Sequence, residues 1–130
     1  MRKPKVLVVD DDHSFRTEIA GLLNNNGYAA STTTSSEVLF RFLEIQPDIV
    51  FTEIVMTEQE GLELILKLRE LRQDLTIIAV TGGERAGSYL KMAQLLGAKA
   101  ALRRPFRAEE LLNVVGSAAA SIDCNMKPAV

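Results

Sequence analysis

The chain has 130 residues, the size of one ordinary domain. Hydrophobic residues make up 47% and charged residues 25%, which fits a globular protein and excludes disordered, collagen-like and disulfide-framework proteins. The formal net charge of −2 is too balanced for a domain whose main partner is nucleic acid, so we expect no direct nucleic-acid contact.

Cysteine content and hydropathy indicate the cellular compartment of the chain. Its one cysteine, Cys124, cannot form an internal disulfide, which favours a reducing compartment, and we expect the cytoplasm. No stretch approaches the roughly 18 apolar residues of a membrane span. The basic first residues lead only into the short apolar run 6–9, so we predict neither a span nor a secretion signal.

Five short apolar runs alternate with helical patterns along the chain. Because these runs do not alternate apolar with polar residues, they indicate strands buried on both faces of a sheet. The runs are residues 6–9, 28–32, 49–54, 75–80 and 98–102. Apolar residues recur at helical spacing after each run. These stripes are Phe15, Ile19, Leu22 and Leu23; Val38, Phe42 and Leu43; Leu64, Ile65, Leu68 and Leu71; Ala86, Leu90 and Ala93; and Leu111, Val115, Ala118 and Ala119.

The order of these elements predicts the fold class. Parallel strands need crossover connections, and those are right-handed, so the repeated strand–helix alternation favours a doubly wound α/β domain with a five-stranded parallel sheet. We place this domain at residues 1–120 and a C-terminal tail at residues 121–130.

Several residues are positioned to begin or end the predicted helices. Asp12 or Ser14 can cap the first helix. Gly27 and Gly97 follow the first and fourth helices, where a left-handed residue is wanted. Residues 34–37 have capping-box spacing, which predicts that the second helix starts there.

Polar residues follow four of the predicted strands, at the edge where open α/β sheets bind ligands. They are Asp10, Asp11 and Asp12 after the first strand, Glu53 in the third, Thr81 after the fourth, and Arg103 and Arg104 after the fifth. Neighbouring carboxylates repel one another, and a divalent cation, a Lys or Arg, or a raised pKa relieves the repulsion. Oxygen ligands favour Mg²⁺, whereas no histidine or cysteine stands at zinc spacing.

Some of these residues also have simpler interpretations. The three aspartates could cap the first helix, since acidic residues favour a helix amino terminus. Thr81 could be an ordinary strand-end hydroxyl. We interpret His13, the only histidine, as an exposed residue that opens a helix rather than as a metal ligand or phosphotransfer group.

Motifs in a fixed order run along nearly the whole chain. They are residues 6–11 (VLVVDD), 47–50 (PDIV), 61–64 (GLEL), Thr81, Gly97-Ala98 and Arg104-Pro105-Phe106. In order and spacing, this set resembles the receiver domain of two-component response regulators.

The resemblance implies a flavodoxin-like fold with strand order 2-1-3-4-5. It also implies an aspartate that a histidine kinase phosphorylates, and a Thr or Ser and a Lys that sense the phosphoryl group. Those sensors reposition the face made by helix four, strand five and helix five. By the same resemblance, Mg²⁺ would be held by Asp10, Asp11, Glu53 and Val55, and the Arg104–Pro105 peptide bond would be cis.

The sequence departs from the family at four places. Glu53 stands at the phosphoacceptor position, and its extra methylene pushes the carboxylate toward the place of the phosphoryl group. Arg104 stands at the lysine position, and its planar fork can grip a carboxylate. Ala101 replaces the aromatic switch residue, and residues 57–60 replace a Pro-Gly-containing stretch, with Glu58 and Glu60 adding negative charge near the mouth.

These departures lead to the hypothesis of a permanent salt bridge between Glu53 and Arg104. We therefore expect a receiver module that has lost or frozen its phosphorylation switch, binds Mg²⁺ weakly or not at all, and acts through protein contact. Its partner would be a histidine kinase, an output protein or a second copy of the chain. It would not be an enzyme beyond residual Mg²⁺-dependent self-phosphorylation.

Two alternatives stay open at this point. The first is a working phosphoacceptor receiver that uses Glu53 or a neighbouring carboxylate. The second is a nucleotide or flavin binder on the same fold, although the acidic turn after the first strand would repel phosphate.

Overall fold

The computed structural model describes residues 3–56 and 60–125, with side chains described up to Ile122. Strands and helices alternate in the predicted order, and each strand overlaps its predicted run. The elements are β1 (Lys5–Val9), α1 (His13–Asn24), β2 (Ala29–Thr33), α2 (Val38–Ile45), β3 (Ile49–Glu53), α3 (Gly61–Leu71), β4 (Thr76–Thr81), α4 (Ala86–Leu95), β5 (Ala100–Arg103) and α5 (Ala108–Asn125).

The five strands form one parallel sheet in the order β2-β1-β3-β4-β5. In β1, Val8 lies beside Thr32 of β2 on one side and Phe51 of β3 on the other. The predicted doubly wound, flavodoxin-like fold is confirmed. Because the strand order reverses at β1 and β3, the crevice beyond their carboxyl ends is the expected place for a site.

The core has two layers, one on each face of the sheet, because successive residues of a strand point to opposite faces. Leu7 and Val9 pack in the layer with α2, α3 and α4, whereas Val6 and Val8 pack in the layer with α1 and α5. Every residue of β3 and β4 is buried, as predicted for strands covered on both faces. The edge strand β2 is only partly buried.

The predicted helix stripes hold for most positions and fail at two. All four stripe residues of α5 are buried, whereas Leu43 is 57% exposed and Leu71 is 53% exposed. Leu43 follows the buried Phe42 in the short helix α2 and so lies off its inward face, and Leu71 is the last residue of α3. The prediction that these two leucines face the core was wrong.

The helix ends show which local signals the fold uses. The side chain of Asp12 caps α1 by accepting a hydrogen bond from the Phe15 amide at 3.2 Å. Gly27 and Gly97 have φ values of 93° and 120°, in the left-handed region expected after a helix. The capping box at residues 34–37 was wrong, because α2 begins at Val38 without a side-chain cap.

The last helix is longer than expected. It runs to Asn125, past the boundary predicted at residue 120, and Ile122 packs on the layer with α1. Residues 126–130 of the predicted tail lie outside the described residues. Among the helices of the described ranges, none has the length and apolar character needed to cross a membrane.

Candidate functional site

Four strand ends bring the predicted site residues to one edge of the sheet. Asp10 directly follows β1, Glu53 and Thr81 end β3 and β4, and Arg104 follows β5. The Arg104 amide donates to the Thr81 carbonyl at 2.8 Å, which ties the last two strand ends together. The Arg104–Pro105 peptide bond is cis, as expected. The ends of these four strands therefore surround one acidic pocket.

Glu53 is the buried centre of this pocket, with 2% of its surface exposed. Its Oε1 atom forms an ion pair and accepts a hydrogen bond from Nη2 of Arg104. Its Oε2 atom accepts from the amides of Ile54 at 2.7 Å and Val55 at 3.0 Å. The salt bridge hypothesised from the sequence is thus present, and both carboxylate oxygens have partners.

Arg104 is held by an aromatic side chain as well as by Glu53. Its guanidinium carbon lies 4.9 Å from the centre of the Phe15 ring in a cation–π contact. Phe15 in turn meets Phe106 edge to face, with ring centres 6.2 Å apart. The sequence marked Phe15 only as a core residue of the first helix, and nothing in a linear pattern indicates which residue a ring stacks on.

Asp10 is the second buried acid of the pocket, with 5% of its surface exposed. Its Oδ1 atom accepts from the Asp12 amide at 2.8 Å, whereas Oδ2 is buried without a hydrogen-bond partner among the described residues. Burial raises the pKa of Asp10, and the negative charge of Glu53 raises it further. The Asp12 amide and the charge of Arg104 act in the opposite direction.

Asp11 bonds to the loop after β2. Its Oδ1 atom accepts from the Ser35 amide and its Oδ2 atom from the Ser35 hydroxyl, both at 2.8 Å. These bonds explain why residues 34–37 form no capping box. Ser35 bonds to Asp11, and the Glu37 amide donates to the Thr34 carbonyl. The loop between β2 and α2 is thereby fixed to the end of β1.

The residues present do not fit a Mg²⁺ ion in this arrangement. Mg²⁺ requires several oxygen ligands around one point. The described residues contain no group of three or more acidic, histidine or cysteine side chains able to hold a metal. Asp11 is bound to Ser35, and Glu53 is bound to Arg104, whose guanidinium supplies the positive charge instead. Among the described residues, Asp10, Asp11 and Glu53 therefore do not form such a group, and the role of Val55 stays a prediction.

Arg16 is a residue of the site that the sequence analysis missed. Its Nη1 atom donates to the carbonyls of Asp10 at 3.1 Å and Asp11 at 3.3 Å. Its Nη2 atom lies 3.2 Å from Nδ1 of His13, which is exposed as expected. The spacing of one helical turn from Asp12 to Arg16 does not predict these contacts, because Arg16 bonds backbone carbonyls rather than the Asp12 side chain.

The remaining predicted residues lie around the pocket. Thr81 is buried, and Ala101 is half-buried in β5, paired with Ala79 of β4. Glu60 is exposed and lines a small cleft with Tyr89 of α4, whereas Glu58 lies outside the described residues. The acidic pocket therefore keeps a threonine but has no ring from β5.

Comparison with known proteins identifies the family. The model of the response regulator receiver domain matches residues 6–116, so the chain belongs to this family. A crystal structure of a response regulator receiver domain protein from Clostridium thermocellum superposes with a TM-score of 0.87 at 26% identity. That likeness covers 95% of this chain and 99% of the other.

Two curated relatives are longer proteins. The chain is 33% identical over 99% of its length to the DNA-binding transcriptional regulator NtrC of Azospirillum brasilense, and spans 26% of that protein. It is 34% identical over 83% of its length to the response regulator MprA of Mycobacterium sp. (strain KMS), and spans 47% of that protein. The chain thus matches the receiver part of two-component regulators.

Proposed function

We propose that this chain is a receiver module whose phosphorylation switch is frozen, and that it signals through protein contact independently of phosphorylation. The observation that carries the proposal is the buried Glu53–Arg104 ion pair. It occupies the acidic pocket with a fixed charge arrangement in place of a phosphoryl group that comes and goes.

Nucleophilic attack on phosphorus needs a carboxylate oxygen that is free and correctly placed. In Glu53, one oxygen bonds to Arg104 and the other to two backbone amides. Attack would require breaking a charge-assisted hydrogen bond inside a buried site, which strongly disfavours the reaction. Since a misplacement of about 1 Å can cost about a hundredfold in rate, the longer Glu side chain adds a second obstacle.

The need of phosphoryl transfer for Mg²⁺ also supports the proposed loss of phosphorylation. With Asp11 bonded to Ser35 and Arg104 beside Glu53, we infer that Mg²⁺ binds weakly or not at all. The pair carries one negative charge balanced by one positive charge, whereas a phosphoryl group carries about −2, so mimicry of a phosphorylated state is partial.

The partner is proposed to be a protein. Histidine kinases, output proteins and a second copy of the chain are the candidates that a receiver offers. The net charge of −2 gives no support to direct nucleic-acid contact, even though one relative is named a DNA-binding regulator.

The test is phosphoryl incorporation measured by intact-protein mass spectrometry, after incubation with Mg²⁺ and a small acyl-phosphate donor. We expect no mass increase for the wild-type chain. The matched variant is Glu53→Asp, which shortens the side chain by one methylene and withdraws the carboxylate from Arg104. It is expected to gain a phosphoryl group only at high Mg²⁺ concentration, because the Asp11–Ser35 bonds that weaken Mg²⁺ binding remain.

Phosphorylation of the wild-type chain would contradict the proposal and favour a working receiver that uses Glu53 or a neighbouring acid. The modified residue is then located by peptide mapping of the labelled chain. Glu53→Gln is the negative control, because its side chain has no carboxylate to phosphorylate.

A further inference from the structure

A groove of about 720 Å³ lies beside the acidic pocket, between α1 and the segment that follows β5. Its walls are mainly apolar and aromatic. The lining residues that the argument uses are Phe15, Glu18, Ile19, Leu22, Arg104 and Phe106. We call this feature the α1 groove. Ligand pockets for small molecules are typically about 300–1,000 Å³ and apolar with few polar groups, and the α1 groove fits that description.

Arg104 gives the α1 groove one polar end. Among the described residues, its guanidinium makes a single hydrogen bond, from Nη2 to Glu53, although arginine has five N–H donors. Its Nε atom is buried without a partner, while 33% of the side chain remains exposed. The stacking on Phe15 holds the guanidinium plane in place. Donors on the terminal nitrogens are therefore preorganised for an acceptor that enters from the groove.

The charges around the groove limit the kind of ligand. Arg104 is the only cation in the described lining, and it already shares its charge with Glu53. Glu18 is an exposed acid at the same groove. A doubly charged anion such as a phosphate ester would be repelled by both acids. A single negative charge attached to an apolar body matches the cation and the walls together.

We propose that the α1 groove binds a small organic monoanion, with a carboxylate head at Arg104 and an aromatic or branched apolar body against Phe15, Ile19 and Leu22. Because the head shares Arg104 with Glu53, ligand binding and the Glu53–Arg104 pair are coupled. A ligand of this class thereby alters the Glu53–Arg104 ion pair without any phosphoryl transfer.

The test is a titration of the ¹⁵N-labelled chain with 2-naphthoate, followed by NMR chemical shifts, with 2-naphthamide as a neutral probe of the same shape. We expect shifts confined to α1, the Gly82-Gly83 segment and residues 104–108. Since a hydrogen bond to a charged group is worth more than a neutral one, naphthoate should bind about five- to tenfold more tightly than the amide.

Three variants sharpen the test. Leu22→Glu places a negative charge in the apolar wall and should weaken naphthoate at least about tenfold, whereas Leu66→Glu on the opposite face of the sheet should not. Glu18→Arg, a substitution at an exposed position of the groove, should tighten naphthoate about threefold. Glu53→Gln frees Arg104 and should tighten naphthoate but not the amide.

Equal affinity for the two probes, or no effect of Glu53→Gln and Glu18→Arg, would overturn the proposal. So would an absence of naphthoate shifts in this region combined with shifts from an amphipathic helical peptide, which would make the groove a protein-docking surface. The titration contains no phosphodonor, so its outcome is independent of the proposed loss of phosphorylation.

Discussion

At the scale of single residues, the unusual feature is Asp10, a buried acid whose Oδ2 atom has no partner among the described residues. Burial raises its folded-state pKa above the ordinary value of 3.8. Between the ordinary pKa of the unfolded state and the raised pKa of the folded state, the folded protein binds more protons than the unfolded protein. The charge of Asp10 therefore makes the protein less stable as the pH rises. Asp10→Asn keeps an acceptor for the Asp12 amide and removes the charge.

We therefore expect Asp10→Asn to stabilise the protein at about pH 7 and the gain to shrink as the pH falls toward the ordinary value. Urea unfolding of both chains at several pH values measures the difference. Asp74→Asn, at an exposed site, is the control for removing a surface carboxylate. A gain that is constant with pH would show that the charge of Asp10 is not its cause.

The second residue-scale prediction concerns Arg104. Removing one partner of a fully buried ion pair costs about 3–5 kcal/mol, and since Arg104 is one-third exposed, we expect Arg104→Gln to cost about 2 kcal/mol. The double variant with Glu53→Gln should cost less than the sum of the single variants, because it leaves no uncompensated charge. Arg107→Gln, in an exposed pair, is the control. Additive losses in urea unfolding would mean that the two groups are not coupled.

At the scale of elements, the start of α3 is pressed against the end of β3. A Cβ atom at Gly61 would lie 2.4 Å from the Ile54 Cα and 2.7 Å from the Glu53 carbonyl oxygen. The Gly61 amide donates to the Ile54 carbonyl at 2.8 Å. Only glycine allows this approach. The position of Glu53 therefore depends on the packing of the first residue of α3 against the end of β3.

Gly61→Ala is accordingly expected to cost about 2–3 kcal/mol, in the upper part of the roughly 1–3 kcal/mol typical of an overpacked core, and to shift the NMR signals of residues 53–55. Gly21→Ala is the matched control, since nothing lies within 4 Å of its added Cβ in α1. That control should stabilise the protein by up to about 1 kcal/mol, as alanine favours a helix interior. Similar stabilities of the two variants would contradict the close approach.

The elements also show how far a sequence determines the site. The alternation of apolar runs was sufficient for the sheet, because burial on both faces leaves a pattern in the chain itself. The Glu53–Arg104 pair could be predicted because two departures from a family pattern fit one another in shape, since the longer acid reaches toward the planar fork of the arginine. The bonding of Asp11 could not be predicted, since it depends on the Ser35 amide, which the loop between β2 and α2 supplies. The Phe15–Arg104 contact likewise joins elements far apart in the chain.

At the scale of the whole molecule, the two core layers meet at a sheet whose carboxyl edge carries the Glu53–Arg104 ion pair. A switch needs two states that a ligand binds with different affinity. If the switch is frozen as proposed, with Glu53 paired to Arg104 and Asp11 bonded to Ser35, we expect Mg²⁺ and a phosphoryl mimic to favour no second state. The chain should therefore populate one conformation under both conditions.

We expect the ¹⁵N–¹H NMR spectrum of the wild-type chain to stay unchanged when Mg²⁺ and beryllofluoride are added together. The double variant Glu53→Asp, Arg104→Lys removes the pair and offers an acid and a point charge, so its signals should shift near the pocket and along α4 and β5. Shifts in the double variant but not in the wild type would mean that the ion pair is what holds the switch. Shifts spreading through α4 and β5 of the wild-type chain would show that the sheet edge still couples to that face despite the pair.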